Sequence, residues 1–294
     1  MVMPGADALI EKGWFKTNQW LLLRRLSQLS VFALFMIGPL MGLWFVKGNL
    51  ASSLTLEVLP LTDPFILLQT FFAGHIPETT AIIGAVIVTL FYLLVGGRVY
   101  CSWVCPVNII TDMAGWLRMK LDIKTNIHSD RATRYWLLTT IMLVAAITGI
   151  TVWELVNPVS IVQRGLVFGI TSAFYVALVI FIYDMIISKR GWCGHLCPMG
   201  AFYSLLTFTS VLRINAHKRE HCNDCMDCYA ICPEPQVIKP ALKGQENSSP
   251  VIDSPNCTNC GRCIDICSKD VFRFSTRFTK LNTISTVTKR EAMP

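Results

Sequence analysis

The sequence predicts an α-helical membrane protein built from two repeated halves, with a compact cysteine-rich domain towards its C-terminal end. Three observations predict it: an apolar composition, a Cys-x3-Cys-Pro motif that occurs twice, and two dense cysteine runs beyond residue 220. Of 294 residues, 53% are hydrophobic and 15% charged, which disfavours an ordinary soluble domain. The twelve cysteines fall in short fixed spacings within a long chain, and this favours metal ligation over the disulfide scaffolds of small secreted domains. The net charge of +7 would suit nucleic acid, but the basic residues flank the apolar runs, where membrane topology accounts for them. No nucleic-acid partner is expected.

Residues 1–25 form a cytoplasmic N-terminal segment, and no small-residue cleavage site follows the first apolar run, so that run reads as a retained anchor. Residues 26–215 form the membrane domain. Four runs, about 26–46, 79–97, 135–153 and 166–187, are long and apolar enough to span roughly 30 Å of hydrocarbon at about 1.5 Å per residue. A shorter patch, 64–73, reads as interfacial or re-entrant. Trp44 and Trp153 lie at one kind of run end and Trp103, Trp136 and Trp192 near the other, as aromatic belts do.

Loop charge sets the orientation. Lys12, Lys16, Arg24 and Arg25 precede the first run, Arg98, Arg118, Lys120, Lys124, Arg131 and Arg134 fill the loop after the second, and Lys189, Arg190, Arg213, Lys218 and Arg219 follow the fourth. Loops 47–78 and 154–165 hold only Lys47 and Arg164. Both termini are therefore expected in the cytoplasm of a multi-pass bacterial inner-membrane protein.

The chain repeats itself. "LPLTDP", ending at Pro64, precedes a span and the pair Cys101/Cys105; "ELVNP", ending at Pro158, precedes a span and the pair Cys193/Cys197. A moderately amphipathic stretch follows each pair. The halves share one topology, a parallel repeat about the membrane normal, which would bring the two pairs together.

From Cys222 the chain reads "CNDCMDCYAICP" and from Cys257 "CTNCGRCIDICS". Both are C-x2-C-x2-C-x3-C, the bacterial two-cluster ferredoxin run, in which three cysteines wrap one [4Fe-4S] cube and the fourth reaches the other cube. The spacing assigns Cys222, Cys225, Cys228 and Cys267 to one cluster and Cys257, Cys260, Cys263 and Cys232 to a second. Residues 216–275 form this domain, cytoplasmic by the charge rule and by the thiolates' need for a reducing compartment. The polar, Pro-rich segment between the runs reads as a surface loop, and 276–294 as a tail. The fold class is thus four transmembrane helices as two parallel-repeat hairpins plus a C-terminal two-cluster ferredoxin-like domain, and the expected chemistry is electron transfer.

The paired cysteines admit four readings: small buried hydrophobes, a thiol relay, a further metal centre held by Cys101, Cys105, Cys193 and Cys197 together, and a docking point for a partner subunit. An i,i+4 spacing places both cysteines of a pair on one helix face, poor geometry for a disulfide, and the following proline stops the helix at the second one. No catalytic residue is assigned; on the outer side Asp63, His75, Glu78 and Glu154 are candidates to accept protons from a quinol.

These motifs, with "GWFKTNQWLLLRRL", "SSLTLEVLPLTDP", "ITDMAGWLR", "WELVNPVS" and "GWCGHLCPMGA", resemble the NapH family of membrane ferredoxin-type subunits of periplasmic nitrate respiration, from about Gly13 to about Arg277. The resemblance implies an electron-transfer subunit of a quinol dehydrogenase rather than a stand-alone enzyme. It implies exchange with membrane lipid and the quinone pool, a NapG-like ferredoxin subunit, a NapC-like multihaem cytochrome, and delivery to the nitrate reductase NapAB. Two functions of other classes stay open: an assembly or metal-handling protein for a partner respiratory enzyme, and a scaffold for the electron-transfer complex.

Overall fold

A computed structural model describes residues 4–123, 125, 130–243 and 249–279. Lys124, residues 244–248 of the segment between the runs, and 280–294 of the expected tail lie outside the described residues. The chain opens with helix α1 (Ala6–Thr17) and, one residue later, α2 (Gln19–Met41). Strands β1 (Val46–Gly48), β2 (Ser52–Thr55) and β3 (Leu59–Thr62) form an antiparallel sheet in that order. Then come α3 (Pro64–Phe72), α4 (Thr79–Val95), α5 (Val99–Trp103), α6 (Val107–Lys120), α7 (Thr133–Thr148), α8 (Val152–Val156), α9 (Pro158–Phe168) and α10 (Ser172–Ile182). Two π-helical turns, Tyr183–Ile187 and Trp192–Leu196, lead into α11 (Pro198–Thr207). Strand β4 (Leu212–Asn215), helices α12 (Asp227–Ile231), α13 (Ile238–Leu242) and α14 (Arg262–Ile266), and strand β5 (Arg273–Thr276) follow among the described residues.

Among the described residues one helical stretch, Ala6–Met41, is long and apolar enough to cross a membrane; Thr79–Val95, Thr133–Thr148 and Ser172–Ile187 are shorter apolar helices. The apolar runs differ from the expected spans in instructive ways. The first run ends at Met41, where Gly42 turns left-handed, and Val46 is already a strand residue. The third ends at Thr148 under a left-handed Gly149, and Trp153 sits on α8, buried edge-on against Phe65 rather than in an aromatic belt. The fourth is two helices: 166–168 finish α9, Gly169 breaks the chain at φ +67°, and α10 begins at Ser172. Hydropathy alone ran across these breaks because the flanking residues are equally apolar. The three strands were too short for an alternating pattern to register, and Pro60 occupies the edge strand, where no ladder donor is needed.

The chain divides into two compact units. One comprises 26–91 and 103–203, the other 1–25, 92–102 and 204–294. In the first unit the halves match in detail. Asp63 and Asn157 each precede a proline at the start of α3 and α9, and each side chain caps its helix by accepting the N–H two residues on, at 2.8 and 3.0 Å. Six residues further, Gln69 and Gln163 are buried and exchange reciprocal bonds: Gln69 accepts from the Trp153 N–H of the second half and Gln163 from the Leu50 N–H of the first.

In the second unit β4 pairs antiparallel with β5, and a core of Ile214, Val237, Ile238, Leu242, Ile252, Ile266 and Phe272 lies among the cysteines. The segment expected as a surface loop instead supplies α13, whose Ile238, Ala241 and Leu242 are buried; its prolines obscured an apolar face only five residues long. The N-terminal helices clasp this core. The Asp265 carboxylate accepts the Trp20 and Leu21 N–H groups, at 3.0 and 3.1 Å, which the first turn of α2 leaves without helical partners.

Candidate functional site

Two cavities in the second unit gather the eight cysteines of the runs. The first is lined by Cys222, Cys225, Cys228 and Cys267 with Tyr229, Leu242 and Phe272; the second by Cys257, Cys260, Cys263 and Cys232 with Val237, Ile238 and Ile252. Each wall thus takes three cysteines from one run and the last from the other. In each run the third cysteine lies on a five-residue helix, α12 or α14, and the fourth in extended backbone just beyond it.

Backbone conformation matches between the runs. Asp224 and Met226 in the first, Asn259 and Gly261 in the second, are left-handed. The turn directs N–H groups at sulfur: Asp224 N–H bonds the Cys222 thiol and Asn259 N–H the Cys257 thiol, while Val271 N–H approaches Cys267 Sγ at 3.5 Å. Such concave runs of N–H groups favour an anionic guest.

Burial, reinforced by the thiols of Cys267, Cys225 and Cys222, pushes Cys228 up to about 12. Burial pushes Cys257 up to about 11 against the Asn259 N–H, and Cys263, crowded by Cys260, Cys232 and Cys257, lies well above the usual thiol value. Four thiolates cannot share such a cavity without a compensating cation, and an iron–sulfur core supplies one. Among the described residues no three His, Cys, Asp or Glu side chains gather tightly enough for a single ion. The donor set and the spacing fit a multi-iron cluster.

Around the second cavity is a polar frame that motif reading missed. Arg98, just before α5, is buried and donates to Glu234 at 2.9 Å and to the Asn256 carbonyl at 2.7 Å. Ser102 Oγ donates to the Thr258 carbonyl at 2.8 Å, and Asn259 Nδ2 donates to the Val95 and Leu212 carbonyls, both at 3.0 Å. No motif announces these residues; the one sequence signal was an arginine three positions before a cysteine pair.

The paired cysteines are arranged otherwise than expected. Cys101 lies on α5 but Cys105 lies beyond its end; Cys193 lies in a π-helical turn and Cys197 in extended backbone, so neither pair shares one helix face. The proline after each pair removes helical geometry from the second cysteine. Cys101 belongs to the second unit and Cys105, Cys193 and Cys197 to the first, where Cys193 Sγ lies 4.0 Å from Thr111 Oγ1 and Gln28 donates to the Cys105 carbonyl.

Of the outer candidates, Asp63 is buried and accepts the Tyr203 hydroxyl at 3.2 Å. Burial pushes its carboxyl up to about 7 despite hydrogen bonds from Phe65 N–H and Tyr203. His75 lines an apolar cavity beside α3. Glu154 is engaged by Ser160 and Arg164, both at 3.0 Å, and Glu78 is exposed near Thr80.

Comparison with known proteins gives the class. A 4Fe-4S dicluster domain family matches residues 221–271, and a 4Fe-4S binding domain family matches twice, at 78–124 and 169–214, so each match contains one cysteine pair. No solved structure matches the chain. Fold and site define a ferredoxin-type iron–sulfur electron-transfer protein. The chain is 45% identical to the ferredoxin-type protein NapH of Haemophilus influenzae, over 93% of its length and 96% of the relative's, and 45% identical to NapH of Escherichia coli K12 over 94% and 96%. It is 51% identical to the methylamine utilization ferredoxin-type protein MauN of Paracoccus denitrificans over 92% and 95%. The chain belongs to the NapH and MauN family of ferredoxin-type proteins.

Proposed function

We propose that the chain is a membrane-bound electron-transfer subunit that takes electrons from quinol and passes them towards a periplasmic nitrate reductase. The observation that carries it is the pair of cavities, each walled by three cysteines of one run and the fourth of the other. Cys222, Cys225, Cys228 and Cys267 hold one [4Fe-4S] cluster; Cys257, Cys260, Cys263 and Cys232 hold a second. Bound there, such clusters supply one-electron transfer and offer no open iron to a substrate. The chain's own residues fix the thiolates, aim N–H groups at them and exclude water with Ile238, Leu242, Ile252 and Phe272.

Four spans, made of α2, α4, α7 and α10 with their flanks, carry the protein in the inner membrane with both termini in the cytoplasm. The apolar helices and the distribution of Lys and Arg support this. The likeness to NapH supports a place beside NapG-like and NapC-like carriers ahead of NapAB, and the paired cysteines offer a further metal centre or the contact that docks such a partner. The likeness to MauN, at 51% identity, supports a second destination, methylamine utilization, for the same electron-transfer chemistry.

The test is anaerobic reduction of the purified chain by quinol, followed by the visible bleaching of its clusters. Bleaching supports the donor; clusters that dithionite reduces but quinol does not would refute it. Deleting the gene separates the destinations, since loss of nitrate respiration and loss of growth on methylamine are distinct phenotypes.

A further inference from the structure

Helix α1 packs with its faces reversed. Its small and polar residues lie against the core of the second unit: Ala8 and Thr17 are buried, the Gly5 N–H donates to Asp227 Oδ2 at 2.8 Å, Lys12 pairs with Asp270, and Glu11 accepts from Lys269 at 2.7 Å. A Cβ on Gly5 would lie 2.4 Å from the Ile266 side chain, so the approach to α14 is close. At Gly13 the helix kinks through φ +77°, and Thr17 Oγ1 closes the kink, 3.0 and 2.9 Å from the Ala8 and Gly13 carbonyls. The large apolar side chains are left outside: Ile10 is 83%, Trp14 62% and Phe15 66% accessible, and Leu9 is exposed beside them. Held at Gly5, Lys12 and Thr17, α1 cannot roll over to bury them.

A contiguous apolar face left in water is unfavourable, so these residues call for an apolar medium. The chain itself fixes which one. One residue after α1 comes α2, and Ala6–Met41 is the stretch long and apolar enough to cross a membrane. Counted back from Met41, a span of about 20 residues opens near Leu22, while the expected apolar run opens at Leu26. Residues 18–21 on the first count and 18–25 on the second, about 6 to 12 Å of helix, then separate α1 from the hydrocarbon, which is on the scale of one headgroup layer. The exposed Lys16 follows Trp14 and Phe15 directly, and an aromatic ring beside a cation suits that depth, where phosphates attract the charge.

We propose that α1 lies in the headgroup layer of the cytoplasmic leaflet, with Ile10, Trp14 and Phe15 inserted between the lipids and Lys16 against their phosphates. This rests on the membrane reading given above and adds to it a surface anchor beside the spans. The opposite face of α1 is fixed to α14, which carries Cys263, so the anchor holds the second cysteine cavity at the membrane surface. Lipid, rather than a partner subunit or a second copy of the chain, covers the apolar face.

The test places the full chain in lipid nanodiscs of phosphatidylethanolamine and phosphatidylglycerol, one copy to a disc, with and without lipid brominated close to the headgroup end of its acyl chains. Bromine quenches tryptophan only on contact, and the emission of the native chain minus that of Trp14→Phe isolates Trp14. Brominated discs are expected to remove the Trp14 emission. Ile10→Glu combined with Phe15→Glu puts charge on the same face at two exposed positions, so iron per chain stays at the native level while Trp14 escapes the quenching. Trp14 emission that is equal in brominated and ordinary discs overturns the proposal, as does quenching that survives both glutamates. Discs found to hold two chains with Trp14 unquenched would make a second copy the occupant and overturn it as well. If bromine quenches none of the other tryptophans, the spans themselves are refuted, and that outcome is read separately in Trp14→Phe.

Discussion

The run from Cys222 and the run from Cys257 carry the same turn, with left-handed residues at matching positions, yet their surroundings differ. Cys225 is exposed, and the side chain of Met226 is 56% accessible. In the other run Cys260 and Asn259 are buried, and a Cβ on Gly261 would lie 2.6 Å from the Trp20 ring. One backbone, once open and once enclosed, accepts different residues: methionine tolerates the left-handed turn where nothing covers it, and only glycine fits where Trp20 does. It also gives the cysteines of the two runs different solvent exposure, which would separate the potentials of clusters held there.

The comparison breaks most completely at the cysteines. Cys263→Ser removes a thiol from the enclosed cavity, and nearly all of the iron is expected to be lost along with the native fold of the unit that contains both cavities. Cys225→Ser, at the open edge, is expected to retain the fold and lose iron from the first cavity alone. Iron content and circular dichroism distinguish the two outcomes.

The frame around the enclosed run comes next. Arg98→Leu leaves Glu234, whose side chain is 3% accessible, without its ion pair, and is expected to cost about 3–5 kcal/mol. Adding Glu234→Leu should recover most of that, measured as the midpoint of thermal cluster bleaching.

Gly261→Ala adds left-handed strain to a clash with Trp20, together about 2–4 kcal/mol. Trp20→Ala in the same chain should relieve the clash and leave the strain. Met226→Gly is the smallest and has the opposite sign, a gain of about 0.5 kcal/mol, since it removes the strain of the same turn at an open site. Equal and opposite responses at 226 and 261 would mean that enclosure plays no part.

The grouping of the cysteines was legible because it is written in local spacing: each cavity is lined by three cysteines of one run and the last of the other, with Cys232 and Cys267 crossing between them. The duplicated halves were legible from the Pro64 and Pro158 signposts. The helix breaks at Gly149 and Gly169 were hidden by apolar neighbours, and the three short strands by their brevity. The partners of Arg98, Ser102 and Asp265 could not be read, because each acts on a residue more than 100 positions away. Asp63 was visible as an acid between two apolar runs, but its contact with Tyr203 depends on α11, far along the chain.

Iron and acid-labile sulfide per chain, after anaerobic purification, test the central claim most directly. Two clusters held by eight cysteines require not fewer than about eight of each, with two magnetically interacting signals on reduction. About four irons, or zinc in place of iron, would contradict the account.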